Sequence, residues 1–432
     1  MKAKYVTLAG MTGALLLAHA GAPRASAQGF GFTTIDVPKM LVLATSTRSD
    51  QDSNQQDGDA RTNGRHGHNL KTPVKLVGGI LVPGNPLHFD ISWIDQESER
   101  YYLAESGNAS VDIFDAENDL FLGRITGFHG PAGQNDPCGP FDGQGPSGVL
   151  VTPDNHLWAS DAHGTVKVFD LTSAEPPFNL NPIATISTGA QCRADELAFD
   201  PEDHVIIVGN PAETPPFATL ISSDPPFNVV AQIPFPGAGG LEASVWDSEL
   251  RGGRFLVNVP GTSNSGVIAV VNPKTMMVEA TYATSNCAGT GLALAPSQRL
   301  LVGCGGGEPL LILNALNGRV LNTITQIHGA DELWYNSGDG RFYAASNTAP
   351  TPALAVIDAE TETFLQSVPT GPSAHSVAAF RENNHVFVAI GPPTKTVPTD
   401  TCAIMFGFPA DTGCIAVYAH ENETDEGDND RK

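Results

Sequence analysis

Residues 87–125 read LHFDISWIDQESERYYLAESGNASVDIFDAENDLFLGRI, and this stretch decides the fold. Four β-rich runs lie in it: HFDISWI, RYYLAE, SVDIFDA and LFLGRI. Short polar turns, DQESE, SGNA and END, separate them. Runs of this kind bounded by Asn, Asp, Gly and Ser are the signature of strands joined as hairpins. The stretch therefore reads as an antiparallel four-stranded meander. A lone sheet of this size has two faces to cover and needs neighbours on both.

The rest of the chain repeats the pattern. Anchored on the first strand, the units begin at PLHFDISW (86), GPSGVLVTP (145), RADELAFDP (193), GLEASVWDS (240), AGTGLALAP (288), GADELWYNS (329) and SAHSVAAFR (373). Their third residues are His88, Ser147, Asp195, Glu242, Thr290, Asp331 and His375, spaced by 59, 48, 47, 48, 41 and 44. A period of roughly 40–50 residues is that of propeller blades. Only the first spacing is long, and its excess lies in the loop 128–146. Later strands recur too: LWASDAHGTVKVFD, FYAASNTAPTPALAVIDA and VFVAIG…GCIAVYAH answer RYYLAESGNASVDIFDA. GPSGVLVTPDNHLWASD and ASVDIFDAENDLFLGRI resemble the YVTN repeat of YncE-like seven-bladed β-propellers, and the resemblance covers about residues 75–420. It implies an all-β fold, a seven-bladed β-propeller of four-stranded antiparallel blades. What it implies for function is broad, because this scaffold hosts many activities.

A propeller must hide the edges of its first and last blades. The seventh unit supplies only SAHSVAAF, HVFVAIG and GCIAVYAH. VKLVGGILVPG, 74–84, matches the outer strand FLGRITG and is expected to complete that blade, closing the ring with an N-terminal strand. TTIDVPKMLVLATS, 33–46, has no assigned place.

The chain thus divides into a signal peptide, 1–27, a flexible N-terminal segment, 28–73, the propeller, 74–420, and an acidic tail, 421–432. Lys2 and Lys4, a short apolar core and the cleavage site Ala25-Ser26-Ala27 mark an exported protein, periplasmic or secreted. The apolar run is too short and broken for a transmembrane segment. His66 and His68 lie in the polar segment and read as solvated. The formal net charge is −24, which repels phosphate backbones and excludes nucleic acid as a partner. One unbroken ring suits a monomer.

Six cysteines in an exported chain imply disulfides, with fifteen possible pairings. The blade positions favour Cys138–Cys192 on one rim, Cys287–Cys304 across a hairpin and Cys402–Cys414 around one loop.

In propellers of the type resembled, ligands bind at one end of the central channel. Five of the seven anchor residues there are titratable: His88, Asp195, Glu242, Asp331 and His375. Arg193 is the positive charge beside Asp195. Second-strand loops add Glu105, Asp161, His163, Asn210, Glu213, Glu308 and Asn347, and His129 and His328 precede blades. His156, His204 and His385 belong to the opposite rim. Ring closure makes blades 1 and 7 neighbours, so His88 should lie beside His375, with Asp331 next along. Two imidazoles and a carboxylate at a wet mouth suit a divalent metal ion with open positions. Asp195 and Glu242, with Arg193, stand where acid–base chemistry would be done. Channel water and backbone N–H groups can satisfy the same side chains without any function. The repeated ADEL of units 3 and 6 has that structural reading.

No G-x-S-x-G, HExxH, Walker A or strand-to-helix GxGxxG occurs. Two functions fit. One is an exported enzyme, a metal-dependent hydrolase or lyase acting on a small organic substrate; the resemblance reaches lactonases and metal-dependent lyases, without their specific motifs. The other is a non-enzymatic binding or scaffold propeller, whose rim inserts at 128–146 and 393–413 would hold a protein, glycan or small ligand.

Overall fold

A computed structural model describes residues 72–349 and 352–421. The signal peptide, His66, His68, the segment 33–46 and the tail after Glu421 lie outside the described residues.

Each unit forms a four-stranded antiparallel blade around a channel. β1 (Val74–Val82) precedes blade 1, which holds β2 (Phe89–Asp95), β3 (Arg100–Glu105), β4 (Ser110–Asp115) and β5 (Leu120–Thr126). A short helix, α1 (Gly139–Asp142), sits in the 128–146 insert. Blade 2 holds β6 (Val149–Val151), β7 (His156–Asp161), β8 (Thr165–Asp170) and β9 (Ala184–Ser187). Blade 3 holds β10 (Leu197–Asp200), β11 (Val205–Asn210), β12 (Phe217–Ser222) and β13 (Val229–Pro234). Blade 4 holds β14 (Ser244–Asp247), β15 (Arg254–Ser263), β16 (Ser265–Asn272) and β17 (Met277–Ser285). β18 (Gly289–Ala295), β19 (Arg299–Cys304), β20 (Pro309–Asn314) and β21 (Val320–Asn336) make blade 5. Blade 6 shares β21 and adds β22 (Arg341–Ala349), β23 (Ala353–Asp358) and β24 (Thr363–Pro369). Blade 7 holds β25 (Ala374–Phe380), β26 (His385–Ile390) and, after α2 (Thr401–Phe406), β27 (Gly413–His420).

The sharing of β21 differs from the seven separate sheets that the repeat predicts. Blades 5 and 6 join into one seven-stranded sheet. The spacing between their anchors is 41, the shortest of the six, so no loop separates them. Pairing continues through the crossing, His328 with Pro309 on one side and with Ala349 on the other.

Strand ends are set by local chemistry. An Asp or Asn closes many strands and accepts hydrogen bonds from backbone N–H groups two or three residues on. Asp115 takes those of Glu117 and Asn118, Asp200 those of Glu202 and Asp203, and Asn272 those of Lys274 and Thr275. Such side chains mimic a backbone turn and stop the strand.

The core lies between blades. Seven apolar clusters fill the seven inter-blade gaps. The cluster between blades 7 and 1 joins Phe89, Tyr101 and Phe114 to Phe387, Ile415 and Val417, so the ring is closed. β1 pairs antiparallel with β27, Ile80 opposite Ile415 and Val82 opposite Gly413, as the closure argument expects. Across the same seam Gln96 Nε2 donates to Ala379 O at 3.0 Å, and Ser376 Oγ to Ser92 Oγ at 2.7 Å. All three expected disulfides are formed, Cys138–Cys192, Cys287–Cys304 and Cys402–Cys414. They fit an oxidising compartment. No helix among the described residues is long and apolar enough to cross a membrane.

Candidate functional site at the channel mouth

The seven innermost strands line the channel. Part of it is a cavity of about 200 Å³, walled by Trp93, Val149, Leu197, Leu292, Leu333 and Val377 and carrying the carboxyls of Glu196 and Glu332. Five of the seven residues that open the units, His88, Asp195, Glu242, Asp331 and His375, form a charged cluster with Arg193.

Closure of the ring brings His88 and His375 together, with ring centroids 5.7 Å apart. His375 is held from both sides. Asp331 Oδ2 lies 3.0 Å from its Nδ1, and Asp90 Oδ1 lies 3.2 Å from its Nε2. Burial alone would lower the pKa of His375, but the bond to Asp331 and the charges of Asp331 and Asp90 outweigh it and bring it up to about 9. The same bond holds Asp331 below the usual carboxylate range, against the opposing effect of burial. His88 behaves oppositely. Burial pushes it below its ordinary value, against the pull of Asp90, and keeps it neutral at pH 7. Its Nε2 is buried and has no hydrogen-bond partner. One ligand atom each from His88, Asp90 and His375 fall within 4.8 Å of one another.

Arg193 anchors the other side. Its Nη1 donates to Asp195 Oδ1 at 2.9 Å and lies 3.6 Å from Asp90 Oδ2, and its Nε donates to Asp142 Oδ1 at 3.0 Å. Its guanidinium also lies over the Phe141 ring, 4.5 Å from the centroid, and Phe141 meets the edge of His88. The 128–146 insert is thus part of the mouth. The Cys138–Cys192 bridge, next to Arg193, ties it down.

Acids outnumber bases here. Arg193 and His375 face Asp90, Asp142, Asp195, Asp331 and the three glutamates 196, 242 and 332. Burial, then neighbouring negative charge, drives several acids up: Asp195 to about 7 despite Arg193, Glu332 to about 8, and Glu196 and Glu242 well above their usual range. The side chains of Asp331 and His375 remain 35% and 19% exposed to the channel. Asp195 is almost fully enclosed, whereas Glu242 is only half-buried.

The six residues singled out from the sequence, His88, Arg193, Asp195, Glu242, Asp331 and His375, form one electrostatic cluster. Asp331 bonds the far nitrogen of His375, and the carboxylate grouped with a nitrogen of each imidazole, within 4.8 Å, belongs to Asp90 instead of the expected Asp331. Sequence reasoning missed Asp90, which stands two residues after His88, inside β2 and within the register shift between Phe89 and Ser92 that breaks the two-residue alternation. The glutamates of the two ADEL segments were missed as well. They line the channel cavity.

Other candidates have partners outside this cluster. Glu105 accepts the backbone N–H groups of Leu87, Gly107 and Asn108. Asp161 holds the N–H of His129 and the Nζ of Lys167, and Glu213 holds the N–H groups of Gln191 and Cys192. His328 does not turn into the mouth: its ring nitrogens face Gly307 O at 2.8 Å and Thr325 O at 3.1 Å. His129 faces His163 on the rim. His156, His204 and His385 pair with Asp154, Asp224 and Asp119.

No family model and no curated protein matches the chain. Solved structures do match. A chain of the mitotic checkpoint complex aligns with a TM-score of 0.55 and 14% identity, over 89% of this chain and 100% of that one. The WD40 β-propeller domain of Doa1 aligns with a TM-score of 0.56 and 15% identity, over 81% of this chain and 98% of the domain. At this identity the likeness establishes the fold: the chain is a β-propeller whose architecture is similar to that of WD40 proteins.

Proposed function

We propose that the channel mouth binds a divalent cation and uses it on a small organic substrate, as an exported hydrolase or lyase of the YVTN-repeat kind. One observation carries the reading: a buried, neutral imidazole nitrogen of His88 without a partner, beside Asp90 and His375 and within an excess of acid. Neutral imidazole is the form that ligates metals. His88, Asp90 and His375 would hold the ion, which would take the place of the proton on His375 Nε2. Asp331, on His375 Nδ1, is the orienting partner that ligating histidines usually have. Three protein ligands leave positions open for water or a substrate oxygen, and such an ion polarises a carbonyl or generates a hydroxide nucleophile. Glu242, half-buried and raised in pKa by burial and neighbouring acids, is the acid–base candidate. Asp195 is fixed by Arg193, and the pair positions that side of the mouth. The signal peptide reading and the three disulfides support export.

The test uses untagged protein stripped of metal. His88→Ala together with His375→Ala should bind one equivalent less of Zn²⁺ or Mn²⁺ in calorimetry, keep the wild-type circular dichroism spectrum, and lose any lactone-hydrolysing activity the wild type has. Unchanged stoichiometry would refute the ion site. Binding without turnover of lactones or other esters would favour the second reading, a binding propeller. That reading is supported by the exposed Phe141 and Ile404 on the two inserts, 49% and 74% exposed, and by the fold's likeness to a chain of a multiprotein complex.

A further inference from the structure

A second cluster lies on the rim, away from the channel, where the 128–146 insert meets the β7–β8 turn. His129 and His163 face each other edge to face, with ring centroids 4.6 Å apart and their Nε2 atoms 3.1 Å apart. Asp136 Oδ2 lies 3.5 Å from His163 Nε2. A ligand atom from each of the three falls within 4.8 Å of the other two.

The remaining nitrogens face backbone carbonyls: His129 Nδ1 lies 3.4 Å from Gly130 O, and His163 Nδ1 lies 3.4 Å from Gln191 O. A carbonyl oxygen only accepts, so an Nδ1 that carries the ring proton donates to it. With both rings in that tautomer, two Nε2 lone pairs and the Asp136 carboxylate oxygen converge on one point, where either a metal ion or a proton held between the imidazoles would satisfy them. A backbone carbonyl on the distal nitrogen is also the usual support of a metal-ligating histidine.

The three residues are anchored independently. The backbone N–H of His129 donates to both carboxylate oxygens of Asp161, at 3.1 Å each. Asp136 has a side chain only 7% exposed, and its Oδ1 accepts the N–H of Cys138 at 2.9 Å. Cys138 is bridged to Cys192, next to the Gln191 carbonyl that supports His163. The insert is also paired to itself by hydrogen bonds between Gly130 and Gly145. None of the three side chains has a role in the channel cluster.

We infer that His129, Asp136 and His163 form a second divalent-cation site of two-histidine, one-carboxylate type, suited to Zn²⁺, which ties the insert to blade 2. Imidazole ligands suit zinc and its first-row neighbours, and three protein ligands leave one position for water. The ion would act as a staple on the loop that carries Phe141 and Asp142 into the mouth.

The test is a Zn²⁺ titration of metal-stripped, untagged full-length protein, with calorimetry and bound-metal analysis. His129→Ala with His163→Ala should lose one equivalent relative to wild type. His88→Ala with His375→Ala should keep the equivalent that the rim pair removes, so the two sites fail separately. Asp136→Asn, which conserves shape, should weaken the rim equivalent at least tenfold while leaving the unfolding temperature of the metal-free protein near wild type. Binding of Co²⁺ at the rim should give the intense visible bands of a four-coordinate site, absent in the rim double variant. An unchanged Zn²⁺ stoichiometry and Co²⁺ spectrum in that variant would overturn the inference and leave a proton shared between the imidazoles. If the double variant fails to fold, the Asp136→Asn titration decides alone, and wild-type affinity there refutes the site.

Discussion

Ring closure by β1 makes a sharp, quantitative prediction through Ile80. Its side chain is 6% exposed, sits opposite Ile415 and belongs to the cluster that joins blade 7 to blade 1. Ile80→Ala removes three carbons from a packed gap. The lost transfer energy plus the cavity left behind amounts to about 3 kcal/mol, within the roughly 2–5 kcal/mol range of such truncations. Val77 is the internal control: it lies on the same strand, 47% exposed, at the register shift between Leu76 and Gly78. Val77→Ala should cost no more than about 0.5 kcal/mol. An unfolding entropy of about 2.1 cal/mol/K per residue over roughly 350 residues converts 3 kcal/mol into a fall of about 4 °C. Differential scanning calorimetry of both variants in one buffer measures it. A closed ring should melt in one transition, shifted in Ile80→Ala and unmoved in Val77→Ala. Equal small shifts would mean that β1 is an ornament on an already complete ring, and the closure argument would fail.

Other outcomes follow from the mouth. Gly291 packs against Asp331: a Cβ there would meet the Asp331 carbonyl oxygen at 2.1 Å. Gly291→Ala should therefore shift Asp331, destabilise the protein and weaken cation binding at His375 together, and a variant with wild-type affinity would break that link. Asp331→Asn should lower the affinity of the channel cation about 10–100-fold, as loss of an orienting partner does, with calorimetry as the check. In metal-stripped protein Glu332 is raised from its ordinary value to about 8, so its cost is absent below pH 4.5, grows as pH rises and is complete above pH 8. At about 1.36 kcal/mol per pH unit the ceiling is roughly 5 kcal/mol, which channel water should cut to about 1–3 kcal/mol. Glu332→Gln should thus match wild type near pH 5 and melt higher at pH 8; parallel melting-temperature curves would refute it. Replacing Cys287 and Cys304 by Ala opens a loop of sequence separation 17 and should cost about 3 kcal/mol, read from denaturant midpoints.

Much of this protein is written locally. The period of the anchors, the strand runs of 87–125 and the Asp or Asn that ends many strands depend on neighbours a few residues away, and each reappears in the folded chain. The three disulfides follow once the blades are placed, because hairpins and adjacent rims leave few partners within reach. His88 beside His375 required one further step, closure of the ring, which the missing fourth strand of the seventh unit already implied. The tertiary structure alone added Asp90, Asp142, Glu196 and Glu332 to the acids at the mouth. First strands of blades 1, 5, 6 and 7 shift register near their channel-mouth ends, between Phe89 and Ser92, Gly289 and Leu292, Ala330 and Leu333, and Ala374 and Val377. The two-residue alternation that tells inside from outside breaks at those points. Asp90 and Glu332 sit within such shifts, so no periodicity could aim them at the channel. Arg193 gained Asp142 from an insert whose path nothing in the repeat specifies. His129, Asp136 and His163 lie up to 34 residues apart and meet only because a disulfide and a paired loop fold the insert back onto blade 2.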